Sequence, residues 1–359
     1  MKILFEHHHL YYLPQFLPII YKFNKNGSHN ISVSINQNVP ANEKTLFYKE
    51  CNSLKLNIIR SENEKERKQF IKHENFDIII AGNKGYLEAI AANNTCVVLV
   101  YHGIGLKKSY YNDISPRVDI LAVEAPSRLP SLKGLSIHPI VSGFTKLDAL
   151  LSNRKINDEE MGAIHFENNY PTFLYAPTFY PSSLEKTIPF LAGIKLKVNV
   201  LVKLHQFSWT KLKYRHHIRL IKSTEQRNKN IKLVQESTYN IVPLYPIVDG
   251  LISDISSTMF EFLAVNKPII QTDFYTLRKK HQLFPWLINK RLDFKRLGEV
   301  DFTIKANSPK EIERALKQSL ENPGEHDKNR LEAQNKFLYK VDGKASERLI
   351  EGILEYMKL

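Results

Sequence analysis

The sequence contains few features of a secreted or membrane-spanning protein. Its 359 residues include only two cysteines, Cys51 and Cys96, which give no disulfide framework and are typical of a reducing cytosol. No stretch approaches the roughly 20 apolar residues that a membrane-spanning helix requires, and there are no internal repeats or low-complexity tracts. We therefore expect two ordinary buried thiols in a protein that does not cross a membrane.

Several enzyme motifs are also missing. There is no His-Glu-x-x-His or Cys-x-x-Cys pair of the kind that binds zinc, and there is no Walker loop. At the N-terminus, Lys2 leads into Ile3–Phe5, but Glu6 and three histidines end this short apolar run, so we expect no signal peptide there. We expect chemistry that uses neither a metal nor a cofactor.

Basic residues, in contrast, are abundant. The chain has 51 Lys and Arg against 37 Asp and Glu, a formal net charge of +14. This excess favours an acidic partner such as a nucleotide, a phosphorylated polymer, nucleic acid or an anionic lipid surface. Two segments concentrate the charge, residues 211–232 and 278–296, and the second includes Phe284, Trp286 and Phe294. Such segments are typical of surfaces that bind membranes or nucleic acid, although a solvated helix face is the simpler explanation of one charge run.

Apolar segments of strand length alternate with helical segments along the chain, which predicts parallel sheets with helices on both faces. Predicted strands are 2–6, 31–35, 56–60, 76–81, 95–101, 119–124, 138–142, 172–176, 198–204, 230–234, 250–253 and 268–272. Polar residues 152–169 divide the pattern into two runs. We therefore predict an α/β protein with two doubly wound, Rossmann-like domains, residues 1–160 and 161–335. A helical segment, 336–359, follows and is expected to pack back on the first domain.

Ligands of doubly wound domains bind at the carboxyl ends of the strands, and four predicted strand ends carry polar residues. One strand is followed by His102 and Gly103, a second by Thr178, and a third by His205. The unperturbed pKa of histidine, about 6.5, suits a general base. A single histidine at a strand end is more often structural, but four such strand ends together favour function.

The fourth strand end has the most informative sequence. The strand near residues 247–252 is followed by a polar turn and then by apolar residues at helical spacing. The turn contains residue types that cap helices, namely Asp254, Ser256, Ser257 and Thr258. Because a helix N-terminus favours anions, the turn is suited to a phosphate, although a capped helix without a ligand explains the turn equally well.

Five segments, in order, resemble the motifs of the CDP-glycerol glycerophosphotransferase family, which includes teichoic acid primases and polymerases. They are Tyr101-His-Gly-Ile-Gly-Leu-Lys-Lys108, Ser142-Gly-Phe-Thr-Lys-Leu-Asp148, Tyr175-Ala-Pro-Thr178, Val202-Lys-Leu-His205 and Ile252-Ser-Asp-Ile-Ser-Ser-Thr-Met-Phe-Glu-Phe262. The resemblance covers about residues 95–275. It implies the GT-B fold, two facing Rossmann-like domains, with an acceptor-side N-terminal domain and a nucleotide-donor C-terminal domain.

The resemblance also implies roles for individual residues. His102 corresponds to the family's general base, and His205 to its second essential histidine, near the donor phosphates. Ser256 and Ser257 correspond to the pair associated with the pyrophosphate. The remaining candidates are Asp254, Thr258 and Thr178 beside the donor, and Gly103, Lys107 and Lys108 near the acceptor or a phosphate.

The sequence departs from the family pattern at several positions. Ile104-Gly105 replaces Thr-Pro, Phe179-Tyr180 replaces the Trp-Arg of many members, Gln206 replaces a proline, and Ile255 replaces a tyrosine. The change at Tyr180 suggests that one cationic phosphate contact is missing. These departures affect the identity of the donor more than the type of reaction. The donor can therefore also be CDP-ribitol, another activated polyol phosphate or a nucleotide sugar.

The favoured function is the transfer of glycerol phosphate, or a related polyol phosphate, from a CDP-activated donor to a hydroxyl group. The acceptor implied by the family is a lipid-linked saccharide or a polymer, in teichoic acid or capsule biosynthesis. The expected location is the cytoplasm, at the anionic inner leaflet of the cell membrane. The alternatives are a GT-B glycosyltransferase that uses a nucleotide sugar, and a basic nucleic-acid-binding protein. We expect no nucleic-acid partner, because no recognisable nucleic-acid-binding module is present.

Overall fold

The structure, a computed structural model, describes residues 1–25, 27, 29–105, 114–151, 164–284, 286 and 294–358. The chain forms two compact units. The first unit comprises Met1–Gly103, Ser109–Ser152 and Lys336–Leu359, and the second comprises Ile104–Lys108 and Asn153–Asn335. The first unit is therefore discontinuous in sequence, and the chain returns to it at its C-terminal end.

Each unit contains one parallel sheet. The first sheet has the order β3-β2-β1-β4-β5-β6-β7 and consists of Lys2–His7 (β1), Asn30–Ile35 (β2), Asn57–Ile58 (β3), Ile78–Ala81 (β4), Cys96–Leu99 (β5), Ile120–Val123 (β6) and His138–Val141 (β7). The second has the order β10-β9-β8-β11-β12-β13 and consists of Thr172–Ala176 (β8), Asn199–Val202 (β9), Ile231–Leu233 (β10), Gly250–Ser253 (β11), Ile269–Thr272 (β12) and Ile304–Ala306 (β13). In both orders the sequence of strands reverses direction once, which defines a doubly wound fold.

Helices connect most of the strands. The α-helices with described bounds are Leu13–Lys25 (α1), Ala41–Ser53 (α2), Glu64–Glu74 (α3), Leu87–Ile90 (α4), Leu184–Gly193 (α5), Gln206–Thr210 (α6), Arg215–Glu225 (α7), Thr258–Phe262 (α8), Lys279–Leu283 (α9), Phe294–Gly298 (α10), Glu311–Glu321 (α11), Asp327–Leu338 (α12) and Ala345–Lys358 (α13). Across the described residues, none of the helices combines the length and the apolar character that crossing a bilayer requires.

The predicted fold class is confirmed, and all twelve predicted strands are present, several of them shorter than expected. One strand, β13, was missed. It is only three residues long, and its middle residue, Lys305, is exposed, so the apolar pattern is too short to be recognised. The two cysteines are free and buried, as expected, and burial raises the pKa of each thiol to about 12.

The last helix, α13, packs within the first unit. Its first two N–H groups, those of Ala345 and Ser346, donate hydrogen bonds to the Asp148 carboxylate at 3.0 and 2.7 Å. Arg348 Nε donates to the carbonyl oxygen of Ser142 at 2.8 Å. A carboxylate at a helix N-terminus satisfies N–H groups that have no partner within the helix. The segment Ser142–Asp148, one of the family-like motifs, therefore anchors the C-terminal helix.

Candidate active site

In the second unit, Asp254 lies beneath the loop that follows β8. Because Ser253 of β11 pairs with Ala176 of β8, the next residue of each strand lies at the same sheet edge. Asp254 Oδ1 accepts a hydrogen bond from Thr178 N–H at 2.7 Å, and Oδ2 accepts two from the N–H and hydroxyl of Ser183, each at 3.1 Å. This carboxylate thus fixes both ends of the loop.

The Asp254 side chain is fully buried. Burial raises its pKa to about 6 against the opposing effect of the hydrogen bonds from Thr178 and Ser183, so the carboxylate is mostly ionised at neutral pH. The hydrogen bonds described above all join it to the loop after β8. Asp254 therefore acts on the strand-end site by holding Thr178 in place.

The serine turn leads into α8, which has only five residues. Ser256 Oγ lies 2.9 Å from Thr258 Oγ1 and accepts a hydrogen bond from Thr258 N–H at 3.2 Å. Ser257 occupies the N-cap position, but its side chain makes no capping hydrogen bond. All three residues are partly exposed. The turn thus exposes hydroxyl groups at the carboxyl end of β11.

His205 follows β9 and caps the short helix α6. Its Nδ1 accepts a hydrogen bond from Phe207 N–H at 3.0 Å. In the neutral ring the proton is therefore on Nε2, because a nitrogen that accepts from an N–H group cannot carry one itself. The rings of Phe179 and Phe207 lie 4.7 and 5.0 Å from the imidazole, centre to centre. His205 is thus oriented as a donor through Nε2.

The structure adds Arg278, which the sequence analysis included only as part of a basic segment. Its guanidinium lies 4.1 Å from the centre of the Tyr180 ring and donates a hydrogen bond to the Tyr214 hydroxyl. Tyr214 in turn packs against Phe179, with ring centres 5.3 Å apart, and Phe179 packs against His205. Arg278, in the loop after β12, therefore places a positive charge at this cluster, although Tyr180 stands where many members of the resembling family have arginine.

In the first unit, His102 follows β5 and is partly exposed. Its ring centre lies 4.8 Å from that of Tyr11 and 4.7 Å from that of Tyr12. The Tyr12 ring packs directly on Gly82, at the end of β4, where a Cβ atom would lie 2.1 Å from the ring. Gly103, next to His102, is buried, whereas Lys107 and Lys108 lie outside the described residues.

The carboxyl end of β1 rests on a buried ion pair that the sequence analysis did not find. Arg67 Nη1 donates to Glu6 Oε2 at 2.7 Å, and both side chains are fully buried. Arg67 also bonds to Glu64, and Glu6 accepts from the Tyr86 hydroxyl at 2.8 Å. These bonds satisfy both charges and fix the strand that leads to Tyr11 and its neighbours.

One of the two glycines after His102 has a packing role. Gly105, which belongs to the second unit, has a φ of +102°, and a Cβ atom there would lie 2.5 Å from the Phe260 ring. Only glycine meets both conditions without strain. The departure from proline at this position thus goes with a different loop conformation, because proline cannot adopt a positive φ.

The two doubly wound parallel-sheet units have the GT-B fold. Two solved structures show the same fold at low sequence identity. The wall teichoic acid polymerase TagF, soaked with CDPG, aligns with a TM-score of 0.72 at 15% identity, over 99% of this chain and 88% of that one. The UDP-GlcNAc 2-epimerase from Neisseria meningitidis aligns with a TM-score of 0.63 at 15% identity, over 99% of this chain and all of that one.

Residues 138–355, more than half of the chain, match the family of CDP-glycerol:poly(glycerophosphate) glycerophosphotransferases. The chain belongs to this family and is an enzyme, which confirms the resemblance seen in the motifs. No curated protein sequence matches it significantly. The matched segment includes His205, Thr178 and the serine turn, whereas His102 precedes it.

Proposed function

We propose that this enzyme transfers glycerol phosphate, or a closely related polyol phosphate, from a CDP-activated donor to a hydroxyl group of a lipid-linked or polymeric acceptor. The polymer is a cell-surface polymer such as teichoic acid or a phosphate-containing capsule. The observation that carries this proposal is the match of residues 138–355, which contain the loop held by Asp254, the oriented His205 and the serine turn.

In the proposed reaction, the acceptor oxygen forms a bond to the phosphorus of the glycerol phosphate group. The bond between that phosphorus and the oxygen of the CMP phosphate breaks, and CMP leaves with the bonding electrons. His102 takes the proton from the attacking hydroxyl group, which is a poor nucleophile until this proton is removed.

Charge that develops on the phosphate oxygens requires donors that are already in position. We assign this role to His205 through Nε2–H, to the hydroxyl groups of Ser256 and Ser257, and to the guanidinium of Arg278. The hydrogen bond from Phe207 N–H to Nδ1 supports the assignment of His205, since it leaves Nε2 as the donor. Thr178 lies in the loop that Asp254 holds, and we include it among the donor-binding residues.

The donor assignment can be tested with purified enzyme and a lipid-linked acceptor. Release of CMP is measured by mass spectrometry from CDP-glycerol and CDP-ribitol, and release of UDP or CMP from nucleotide sugars. We expect CMP release with transfer of the polyol phosphate. Exclusive transfer of a sugar would instead establish a glycosyltransferase and contradict the proposal.

His205 is suited to a paired substitution, because its two ring nitrogens have separate tasks. In His205→Asn the side-chain oxygen can still accept from Phe207 N–H, but the Nε2 donor is lost. In His205→Ala both are lost. We expect both variants to lose transfer by about 100-fold or more, and only the alanine variant to lose about 1 kcal/mol of stability with the helix cap. Near-normal turnover in His205→Asn would contradict the assignment.

The role of His102 is tested by His102→Ala, with transfer measured by CMP release across pH 5–9. We expect the fold to be kept and transfer to fall about 100- to 10,000-fold, the range attributed to general acid–base catalysis. The acidic limb of the pH profile that reports the base should disappear as well. A variant that retains turnover and the wild-type pH profile would exclude His102 as the base.

Because the proposed acceptor is lipid-linked, we also propose that the enzyme attaches to an anionic membrane. Helix α7 exposes Arg215, Arg219 and Lys222, which share one face because they are four and three residues apart. Leu212, just before this helix, is 75% exposed. The second basic segment also has exposed apolar side chains, those of Leu283, Phe284 and Trp286. A basic helix face that follows an exposed leucine suits the headgroup region of an anionic bilayer.

Flotation with liposomes that contain or lack anionic lipid tests this attachment. We expect binding only to anionic liposomes, and a loss of binding when Arg215, Arg219 and Lys222 are replaced by glutamine. The matched control replaces Lys310, Arg314 and Lys317, which removes the same charge from another exposed part of the second unit. Equal binding by both triple variants, or indifference to anionic lipid, would contradict the proposed surface.

A further inference from the structure

Three metal-binding side chains meet between α5 and α7, apart from the residues assigned to transfer. Glu185 lies in the first turn of α5, and His216 and His217 lie in the first turn of α7. Glu185 Oε1 is 3.1 Å from His216 Nε2 and 3.2 Å from His217 Nε2. The three ligand atoms all lie within 4.8 Å of one another.

These distances fit a metal ion. Zinc bonds of about 2.0–2.1 Å to histidine nitrogen and carboxylate oxygen, in tetrahedral geometry, put neighbouring ligand atoms about 3.3 Å apart. The observed 3.1 and 3.2 Å are close to this value. Two imidazoles and one carboxylate form a common ligand set of Zn²⁺, and leave a fourth position for water.

The surroundings of the cluster support a ligand role. His217 is almost fully buried, and its other nitrogen, Nδ1, lies 3.0 Å from the hydroxyl oxygen of the buried Ser208. Histidines that bind metals usually have such a partner, which fixes the ring orientation and tautomer. Glu185 Oε2 is buried and has no hydrogen-bond partner among the described residues. His216 is half exposed, so an ion can reach the cluster from solvent.

We propose that Glu185, His216 and His217 bind one divalent transition-metal ion, with Zn²⁺ as the best chemical match. The ion links α5 to α7. Its position next to the candidate site gives it a further effect, because the His217 ring stacks on Tyr214, with centres 5.8 Å apart, and Tyr214 bonds to Arg278. Metal binding would therefore hold Tyr214 in position, and with it the Arg278 guanidinium that Tyr214 contacts.

The competing explanation is a hydrogen-bond cluster in which both imidazoles donate to the carboxylate. The two explanations differ in what Glu185→Gln does, since glutamine keeps an oxygen that can accept from an imidazole but is a poor ligand for Zn²⁺. In Ser208→Ala the three ligands remain and only the partner of His217 Nδ1 is lost. The exposed His165, in the same unit, provides a matched control as His165→Gln.

The experiment uses tag-free full-length protein, stripped with a chelator and titrated with Zn²⁺ in a calorimeter. Co²⁺ is used in parallel, because its absorption spectrum reports tetrahedral coordination. We expect one ion per chain, binding abolished in Glu185→Gln and His217→Gln, weakened about 10- to 100-fold in Ser208→Ala, and unchanged in His165→Gln. Failure of wild-type protein to bind, or equal binding by Glu185→Gln, would overturn the proposal. Because binding is the readout, the result does not depend on the proposed transfer reaction.

Discussion

Replacement of Asp254 by asparagine should affect the stability of the second unit and the function of the loop after β8 in different ways. In the folded protein, burial raises the pKa of Asp254 to about 6, from 3.8 for the unperturbed group. A difference of about two pKa units corresponds to about 3 kcal/mol, at 1.36 kcal/mol per unit. Because the folded-state pKa is the higher one, protonation of Asp254 favours the folded protein. This contribution to the free energy of unfolding is fully present below pH 3.8 and is lost as the pH rises through 6.

Asparagine does not ionise, so the variant does not undergo this loss. We therefore expect the free energy of unfolding of Asp254→Asn, relative to wild type, to increase by about 2–3 kcal/mol between pH 4 and pH 7.5. Transfer activity, in contrast, should decrease. The asparagine NH₂ group faces an N–H donor of Thr178 or Ser183 instead of accepting from it, so the loop loses a bond and transfer should fall at least about 10-fold.

Both tryptophans, Trp209 and Trp286, belong to the second unit. Urea unfolding followed by tryptophan fluorescence thus reports on the unit that contains Asp254. The matched control is Asp301→Asn, at an exposed position of the same unit, which should follow wild type across the pH range. A stability difference for Asp254→Asn that does not change with pH would refute the reasoning, whatever its absolute value.

Three further predictions concern the first unit. Arg67→Ala leaves the buried Glu6 carboxylate without its charge partner, and should lower the free energy of unfolding by about 3–5 kcal/mol in urea titrations followed by circular dichroism. Gly82→Ala should displace the Tyr12 ring and with it the contact to His102, which costs about 1–3 kcal/mol and lowers transfer. Gly193→Ala, where a Cβ atom meets nothing within 4 Å, is its control. Both cysteines should react with a thiol reagent only after unfolding, because burial raises the pKa of each thiol to about 12 and blocks access.

The sheets could be predicted because their strands are buried on both faces and have nearly continuous apolar sequences, as in Ile78–Ala81 and Cys96–Leu99. The positions of His102 and His205 after such strands could be predicted for the same reason. Short elements such as Ile304–Ala306 could not, since three residues give too little periodicity.

What the sequence did not reveal depends on contacts between distant residues. Arg278 is 64 residues from Tyr214, and Glu6 is 61 residues from Arg67, so neither pair has a local pattern. The turn at Asp254 was recognised as a capping segment, but its carboxylate in fact holds a loop more than 70 residues earlier in the chain. Only the parallel register of β8 and β11 brings these groups together.

The discontinuous first unit has a consequence for synthesis of the protein. Its helix α13, anchored by Asp148, is made after all of the second unit. Domains generally fold as units while the chain emerges, so residues 153–335 can complete their sheet first, whereas the first unit is complete only when α13 has been made. A variant that ends at Lys344, before α13, should therefore leave the second unit folded and expose the first unit to proteases.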